Sequence, residues 1–291
     1  MLQIFHDVSE TCSSVVTKRY STSFASAIRM LHKDLRAPIC NIYGFVRFAD
    51  EIVDTFHDFD KKVLLDEFRA ETALAIQRGI SLNPILNSFQ ATVNQYNIDH
   101  KLIDAFFHSM EMDLQQRTYD ENTYQEYIYG SAEVVGLMCL CVFCEGNTSL
   151  YNSLRSSARS LGAAFQKVNF LRDIKADFCG LSRLYFPCCD FNNFTESDKQ
   201  RIEEDIMNDF RLAYKGIIHL PLKARFGVYV AYKYYLSLFR KIKRLKPARM
   251  LESRIRIPDY YKLLIVLRAS VKNQLKLIAP DGNLSHMEIS K

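Results

Sequence analysis

The fold is indicated by residues 35–55, which read LRAPICNIYGFVRFADEIVDT. Apolar side chains recur there at three- and four-residue intervals, at positions 39, 42, 43, 45, 46, 49, 52 and 53. Because an α-helix repeats about every 3.6 residues, this spacing places them in one wide stripe along a helix. Residues 35–55 are therefore predicted to form a helix that packs against several other helices.

Helical spacing extends along most of the remaining chain. We predict further helices at residues 61–78, 83–96, 99–116, 123–144, 149–178, 195–219, 222–245 and 260–277. Gly79 follows the first of these, where glycine commonly ends a helix. Thr195 and Asp198 have the spacing of a capping box. Nine or ten helices without repeats or linkers predict a single domain over residues 1–291, with residues 279–291 as a poorly ordered tail.

The composition supports an all-α fold. The chain has 291 residues, of which only 10 are glycine and 7 are proline. Average proteins contain roughly 7% glycine and about 5% proline, and the tight turns of sheet proteins use both residues heavily. Their scarcity favours long helices joined by few loops. The longest break in the helical pattern, residues 178–193, is predicted to be a functional loop.

Charge and cysteine content bear on the cellular compartment. The net charge of +5 permits an anionic ligand or a membrane surface without requiring either. Eight cysteines are too few for a disulfide scaffold, and residues 1–7 lack the basic start of a signal peptide. Cys139, Cys141 and Cys144 lie in an apolar run of about 11 residues, shorter than the roughly 20 that cross a bilayer. We interpret these thiols as reduced and buried, and we predict a cytoplasmic protein, with peripheral contact at the inner membrane face as an alternative.

Two pairs of aspartates have helical spacing. Asp50 and Asp54 are four residues apart, and so are Asp173 and Asp177, so each pair projects from one face of a helix. A single pair of this kind is usually a solvated helix face. Two pairs within mostly apolar helices are harder to explain in that way, because carboxylates facing a bundle interior are costly unless they are paired or bind a metal.

The residues around these pairs indicate the chemistry. Oxygen ligands from aspartate and asparagine suit Mg²⁺, which is often shared with substrate phosphates. Arg47 and Arg172 add guanidinium groups that bind phosphate oxygens. The sequence therefore predicts a helical cavity that holds Mg²⁺ and a diphosphate, with apolar walls around a hydrocarbon chain.

Several short motifs occur in an order that resembles the squalene/phytoene synthase family, the head-to-head prenyl transferases. The resemblance extends from about residue 17 to about residue 270, through YSTSF (20–24), DEIVD (50–54), MDL (112–114), YIYGSAEVVG (127–136), QKVNFLRDIKAD (166–177) and RLYFP (183–187). Each motif alone is weak evidence, whereas their order and spacing together are specific. Glu133 departs from the pattern, since the family usually has a small residue there, and the segment near Arg254 and Lys262 matches only loosely.

The resemblance implies a single all-α isoprenoid-synthase domain with a central cavity. It implies two or three Mg²⁺ ions, with Mn²⁺ as a substitute, held by Asp50, Asp54, Asn169, Asp173 and Asp177. Catalytic roles are implied for these four aspartates, for Arg172 and for Tyr185. The implied substrate-binding residues are Ser21, Ser23, Phe24, Tyr43, Arg47, Tyr129, Gln166, Asn169 and Lys262.

Four side chains have individual expectations. Phe24 and Tyr129 are expected to face a carbocation with their rings, because aromatic faces attract positive charge. Tyr185 is expected to hydrogen-bond the diphosphate. Asp113 is expected to make a structural hydrogen bond.

The expected activity is the Mg²⁺-dependent condensation of two geranylgeranyl diphosphates to 15-cis-phytoene through a cyclopropyl diphosphate. Residues 45–54 resemble bacterial phytoene synthases in particular. Squalene or dehydrosqualene formation from farnesyl diphosphate is the alternative within the family. A terpene cyclase is a weaker alternative, because the chain lacks the Asn/Ser/Glu metal triad of those enzymes.

A third class of function is suggested by the basic segment of residues 233–256. It contains nine lysines and arginines against one acid, Glu252. A solvated helix face is the simplest interpretation, and contact with anionic lipid is the functional one. Nucleic acid is not an expected partner, because the chain has no recognised nucleic-acid motif. A non-catalytic helical protein that docks on membranes therefore remains a rival to the enzyme.

Overall fold

The structure is a computed structural model that describes residues 1–115, 118–176, 185–187, 194–250, 255, 258–274 and 278. The described residues are almost entirely helical, which confirms the predicted fold class. A π-helical turn, Tyr129–Glu133, joins α7 to α8. The helices are α1 (Leu2–Tyr20), α2 (Thr22–Ile28), α3 (Lys33–Asp54), α4 (Lys61–Arg78), α5 (Pro84–Tyr96), α6 (His100–Gln115), α7 (Glu121–Ile128), α8 (Val134–Cys144), α9 (Thr148–Ala176), α10 (Glu196–Ile217), α11 (Leu222–Lys243), α12 (Pro247–Met250) and α13 (Asp259–Gln274).

Two helix boundaries have the capping residues that the sequence predicts. α4 ends at Gly79, whose φ of 70° lies in the left-handed region that glycine adopts without strain. α10 begins with the predicted capping box. The Asp198 backbone N–H donates to Thr195 Oγ1, and the Thr195 backbone N–H donates to the Asp198 carboxylate.

Periodicity of apolar residues did not reveal α1 and α2. α1 buries Ser9, Ser13 and Thr17 rather than large apolar side chains. Ser13 Oγ lies 2.7 Å from Ser88 Oγ of α5, which satisfies both hydroxyls inside the bundle. The buried face of α1 is therefore not marked by an apolar stripe in the sequence.

Aromatic packing holds α3 in the core. Phe45 is fully buried and stacks on Phe89 of α5, with ring centroids 3.9 Å apart. Phe68 of α4 and Phe106 and Phe107 of α6 surround the same ring. This cluster fixes the rear of α3, whose opposite face carries Arg47 and the first acidic motif.

Close backbone contact and an ion pair hold α9 against the π-helical turn. A Cβ atom at Gly162 would collide with the Ala132 carbonyl oxygen, so only glycine allows this approach. Glu133 accepts from Arg159 of α9 at 2.5 Å. The residue that departs from the family pattern therefore anchors the turn to α9.

A buried ion pair holds α9 against α10. Lys167 is 4% exposed, and its Nζ lies 2.6 Å from Asp205 Oδ2 and 2.8 Å from Asp209 Oδ2. Burial opposes the charge on Lys167, but the two carboxylates outweigh it and raise the pKa of Lys167. Burial also raises the pKa of Asp209. The mutual attraction of these groups therefore offsets a real cost of desolvation.

The predicted helix 123–144 is the most apolar part of the fold. The helical stretch Glu121–Cys144 is 24 residues long, and by length and composition it could cross a membrane. The apolar segment is therefore longer than the run of about 11 residues identified in the sequence. Within the bundle, 67% of its most apolar window is buried, as in a core helix. Its thiols are free, and burial raises the pKa of Cys139 to about 12 and that of Cys144 to about 11.

Candidate active site

A cavity of about 570 Å³ lies inside the helical bundle. α3 contributes positions 39, 42, 43, 46, 47, 50 and 54 to its lining, and α9 contributes positions 154, 157, 158, 161, 162, 165, 166, 169, 170, 172 and 173. These positions recur mainly every three or four residues, so each helix turns one continuous face to the cavity. Along α9 this face extends for ~28 Å, at about 1.5 Å per residue.

The chemistry of the lining changes along both helices. Towards the N-termini the lining residues are mainly apolar, with Ile39, Ile42 and Val46 on α3 and Leu154, Ala158 and Leu161 on α9. Towards the C-termini they are mainly polar, with Arg47, Asp50 and Asp54 on α3 and Gln166, Asn169 and Asp173 on α9. The cavity therefore suits a molecule that has a charged head and a long hydrocarbon tail.

Burial and charge act against each other at the first acidic motif. Burial and the neighbouring Asp54 raise the pKa of Asp50 to about 7, although Arg47 acts in the opposite direction. Arg47 Nη1 lies 4.0 Å from the Asp50 carboxylate, while its Nη2 pairs with Glu51. The guanidinium also lies over the ring of Tyr20, 4.5 Å from its centroid.

The second acidic motif is held by its neighbours. Asp173 accepts hydrogen bonds from Arg172, with Nε at 3.1 Å and Nη2 at 2.5 Å. Burial raises the pKa of Tyr235 of α11, while the nearby Arg172 and Asn169 side chains act in the opposite direction. Asn169 Oδ1 is buried and has no hydrogen-bond partner among the described residues. Asp177 and most of the predicted loop 178–193 lie outside those residues.

Four aromatic rings line the cavity beside these polar groups. Phe165 and Tyr235 stack with centroids 3.9 Å apart. Phe24 meets both rings edge-on, at 6.2 and 6.3 Å, and Tyr43 lies 5.6 Å from Phe24. Aromatic faces attract cations, so this group can stabilise positive charge on a bound hydrocarbon.

A buried carboxylate gathers three tyrosine hydroxyls at the cavity wall. Asp113 on α6 is 7% exposed. Its Oδ1 accepts from Tyr119 at 3.2 Å and Tyr185 at 3.1 Å, and its Oδ2 accepts from Tyr127 at 2.6 Å. Tyr185 also stacks on Phe170 of α9 at 4.0 Å. The structural hydrogen bond predicted for Asp113 is present, and the hydroxyl of Tyr185, expected to face a diphosphate, donates to Asp113.

Most of the residues that the resemblance implies come together in this cavity. They are Ser21, Phe24, Tyr43, Arg47, Asp50, Asp54, Gln166, Asn169, Arg172, Asp173 and Tyr185.

Three implied residues lie outside the lining. Ser23 is half-buried in α2. The ring of Tyr129 faces the Arg159 guanidinium at 5.3 Å, and Lys262 donates to Thr22 Oγ1 at 2.8 Å. Since residues two apart on a helix point in different directions, Tyr127 rather than Tyr129 reaches the cavity.

The polar end of the cavity fits a hard divalent cation. It offers the carboxylates of Asp50, Asp54 and Asp173 and the unpartnered Oδ1 of Asn169. Burial and the neighbouring Asp54 disfavour the charged form of Asp50 and raise its pKa, and a bound cation would offset both effects. No group of three His, Cys, Asp or Glu side chains among the described residues forms a metal site by itself. Mg²⁺ commonly binds proteins through one or two carboxylates and takes its other ligands from water and substrate phosphates.

Sequence reasoning missed several residues at this site. Phe165 could have been found, because it lies four residues before Asn169 and therefore on the same face of α9. Tyr235 lies in an aromatic stretch of α11 that carries no polar motif, so its place beside Asn169 depends on tertiary packing. Tyr20 and Tyr127 belong to the motifs YSTSF and YIYGSAEVVG, but no role was predicted for either of them.

The sequence matches the squalene/phytoene synthase family over residues 17–260. The chain belongs to this family. The matched region contains the described residues of both acidic motifs, the aromatic rings around Phe24 and the cluster around Asp113. Family membership therefore covers the whole polar end of the cavity.

Individual relatives and solved structures support the assignment. Presqualene diphosphate synthase of Rhodopseudomonas palustris is 31% identical over 169 residues, covering 57% of this chain and 58% of that protein. Phytoene synthase of Cereibacter sphaeroides is 25% identical over 253 residues, covering 77% and 69%. The chain thus spans less than two thirds of the first relative. The crystal structure of a ligand-bound dehydrosqualene synthase has the same fold, with a TM-score of 0.78 at 17% identity over 93% of this chain and 98% of that one.

Proposed function

We propose that this protein joins two prenyl diphosphates head to head in an Mg²⁺-dependent reaction. The proposed substrate is geranylgeranyl diphosphate, and the proposed product is 15-cis-phytoene, formed through a cyclopropyl diphosphate. The observation that carries this proposal is the polarity of the cavity, which is acidic and basic at one end and apolar along the rest.

The polar end has the groups needed to bind a diphosphate. Asp50, Asp54, Asn169 and Asp173 are the described residues that would hold Mg²⁺. When bound, Mg²⁺ supplies positive charge that stabilises a departing diphosphate. The guanidinium of Arg47 adds hydrogen-bond donors for phosphate oxygens, and its Nε is buried without a partner among the described residues.

The remainder of the lining has the groups needed to hold a prenyl chain and a carbocation. The apolar residues of α8, α9 and α10 bind the hydrocarbon and exclude water from the reactive centre. Phe24, Phe165 and Tyr235 present aromatic rings next to the polar end, where loss of diphosphate would generate positive charge.

Farnesyl diphosphate is the second candidate substrate. It is favoured by the similarity to a presqualene diphosphate synthase and by the fold shared with a dehydrosqualene synthase. Geranylgeranyl diphosphate is favoured by the similarity to phytoene synthases, which extends over a larger part of this chain.

Product analysis tests both substrates. The protein is incubated with Mg²⁺ and either geranylgeranyl or farnesyl diphosphate, and the products are identified by mass spectrometry. We expect phytoene from the first substrate. A product from farnesyl diphosphate alone would assign the chain to the second candidate, and no product from either would favour the non-catalytic rival.

A further inference from the structure

α13 exposes a row of apolar side chains at the protein surface. Their three- and four-residue spacing places them within an arc of about 100° on the helix. The opposite face, with Ile265 and Ala269, is buried, and α13 packs on α11. The exposed row consists of Leu263 (61% exposed), Leu264 (41%), Leu267 (53%) and Val271 (54%).

Basic side chains border this apolar row. Arg268 and Lys272 are exposed on α13 beside it. Lys272 and Arg240 both lie near Lys233 of α11, and burial together with these like charges lowers the pKa of Lys233 to about 8. No carboxylate in the described part of the chain forms an ion pair with any of these four basic residues. As far as the described residues show, the border is therefore positively charged.

α1 provides a comparison within the same molecule. It exposes an apolar row of similar extent, consisting of Ile4 (61%), Val8 (54%) and Val15 (48%). Two acids and two bases on α1 cancel formally, whereas α13 carries three bases and one acid. The two helices expose similar apolar area and differ in charge.

α13 contacts α2 close to residues that line the cavity. Lys262 Nζ donates to Thr22 Oγ1 at 2.8 Å. Thr22 follows Tyr20 and Ser21, which line the cavity, and Tyr20 is 49% exposed. α13 is therefore in contact with the segment that leads into the cavity lining.

We propose that the exposed face of α13 docks on an anionic lipid bilayer. The four apolar side chains enter the boundary between headgroups and acyl chains, and Arg268 and Lys272 contact the anionic headgroups. Interfacial helices combine an apolar face with basic flanks in this way. The proposal places the membrane contact on α13 rather than along residues 233–256, of which Lys233 and Arg240 supply charge beside it.

Vesicle co-sedimentation of the full chain tests the proposal. The vesicles are phosphatidylcholine with or without about 30% phosphatidylglycerol, which sets the negative surface potential. We expect binding to the anionic vesicles that weakens with salt. A triple variant, Leu263→Ser, Leu267→Ser and Val271→Ser, should reduce the partition coefficient at least about tenfold. Arg268→Glu with Lys272→Glu should also reduce it at least about tenfold.

Matched variants separate docking from a general loss of apolar or basic surface. The triple variant Ile4→Ser, Val8→Ser and Val15→Ser and the exposed pair Arg78→Glu with Lys101→Glu should bind vesicles as the unmodified protein does. Circular dichroism checks that each variant is folded. The assay contains no prenyl diphosphate, so its result is independent of the proposed enzymatic function.

Three results would overturn the proposal. The unmodified protein could fail to bind anionic vesicles, or both serine triple variants could lose binding equally. Light scattering could also show a dimer that the α13 triple variant converts to a monomer, which would assign the face to a second copy of the chain.

Discussion

The two helices that carry the acidic motifs are held in place by different forces. Behind Asp50, α3 is fixed by aromatic packing, in which Phe45 is fully buried and stacks on Phe89. Behind Asp173, α9 is fixed by the ion pair between Lys167 and two aspartates of α10, and by the close approach to the π-helical turn. Aromatic packing thus supports one wall of the cavity, whereas an ion pair and close backbone contact support the other.

The carboxylates on the cavity side also differ. The pKa of Asp50 is raised to about 7 by burial and by Asp54, whereas Asp173 is in direct contact with the Arg172 guanidinium. The four-residue spacing places each carboxylate on the cavity face of its helix. Whether each carboxylate is ionised depends on the groups around it, and the four-residue spacing does not identify those groups.

The largest effect is expected on catalytic activity. If both walls hold Mg²⁺, Asp50→Ala and Asp173→Ala should each reduce turnover at least about a hundredfold, because a lost ligand costs several kcal/mol of transition-state stabilisation. Steady-state product formation measures this effect. Asp58→Ala, at an exposed acid just beyond α3, should retain full activity. Retention of more than about a tenth of the activity in both variants would contradict a site built from two motifs.

The largest effect on stability is expected when the aromatic packing behind α3 is removed. Phe45→Ala should lower the free energy of unfolding by about 3–5 kcal/mol, because it leaves a cavity among four other phenylalanines. Urea denaturation measures the loss, which should be nearly the same at low and high salt. A loss below about 1 kcal/mol would show that α3 is held in another way.

Ligand binding should stabilise the two walls together. Mg²⁺ and inorganic diphosphate, each at about 100 times its dissociation constant, should each add about 2.7 kcal/mol. Because each ligand completes the site of the other, the melting shift with both should exceed the sum of the separate shifts. Thermal scans of the protein and of Asp54→Asn measure this synergy. Additive shifts, or equal behaviour of the variant, would contradict the diphosphate site.

A smaller effect on stability is expected when the ion pair behind α9 is removed. Lys167→Met should lower the free energy of unfolding by about 2 kcal/mol, less than for a fully buried pair, because the Asp205 side chain is 51% exposed. The loss, measured by urea denaturation, should be partly recovered by adding Asp209→Leu, which removes the buried carboxylate left unpaired. No recovery in the double variant would mean that Lys167 acts through packing alone.

The smallest prediction concerns pH. The folded-state pKa of Asp50 lies above its ordinary value of 3.8, so the stability that Asp50 contributes is complete below pH 4 and is lost as pH rises through about 7. Asp50→Asn should therefore become more stable relative to the unmodified protein between pH 4 and pH 8. We expect about 1 kcal/mol, since about a third of this side chain is exposed. Urea denaturation at the two pH values measures the change.

The helices with apolar stripes and the residues of the motifs could be predicted from the sequence. Features that depend on contact between distant segments could not. α4 and the capping box of α10 followed from local signals. α1 did not, because its buried face is made of hydroxyl groups, of which Ser13 pairs with Ser88 of the distant helix α5. The gathering of three tyrosines on Asp113 combines segments up to 72 residues apart, so no local spacing could show it.

The tyrosine cluster also gives the molecule an optical property. The chain has 16 tyrosines and no tryptophan, so tyrosine emission is not obscured by a stronger fluorophore. A phenol that donates to a carboxylate emits weakly, because its excited-state proton shifts towards the acceptor. Tyr127 and Tyr185 donate to Asp113 at the cavity wall. A molecule that enters the cavity and disturbs either bond should therefore change the intrinsic fluorescence, which allows occupancy to be followed without a label or a product assay.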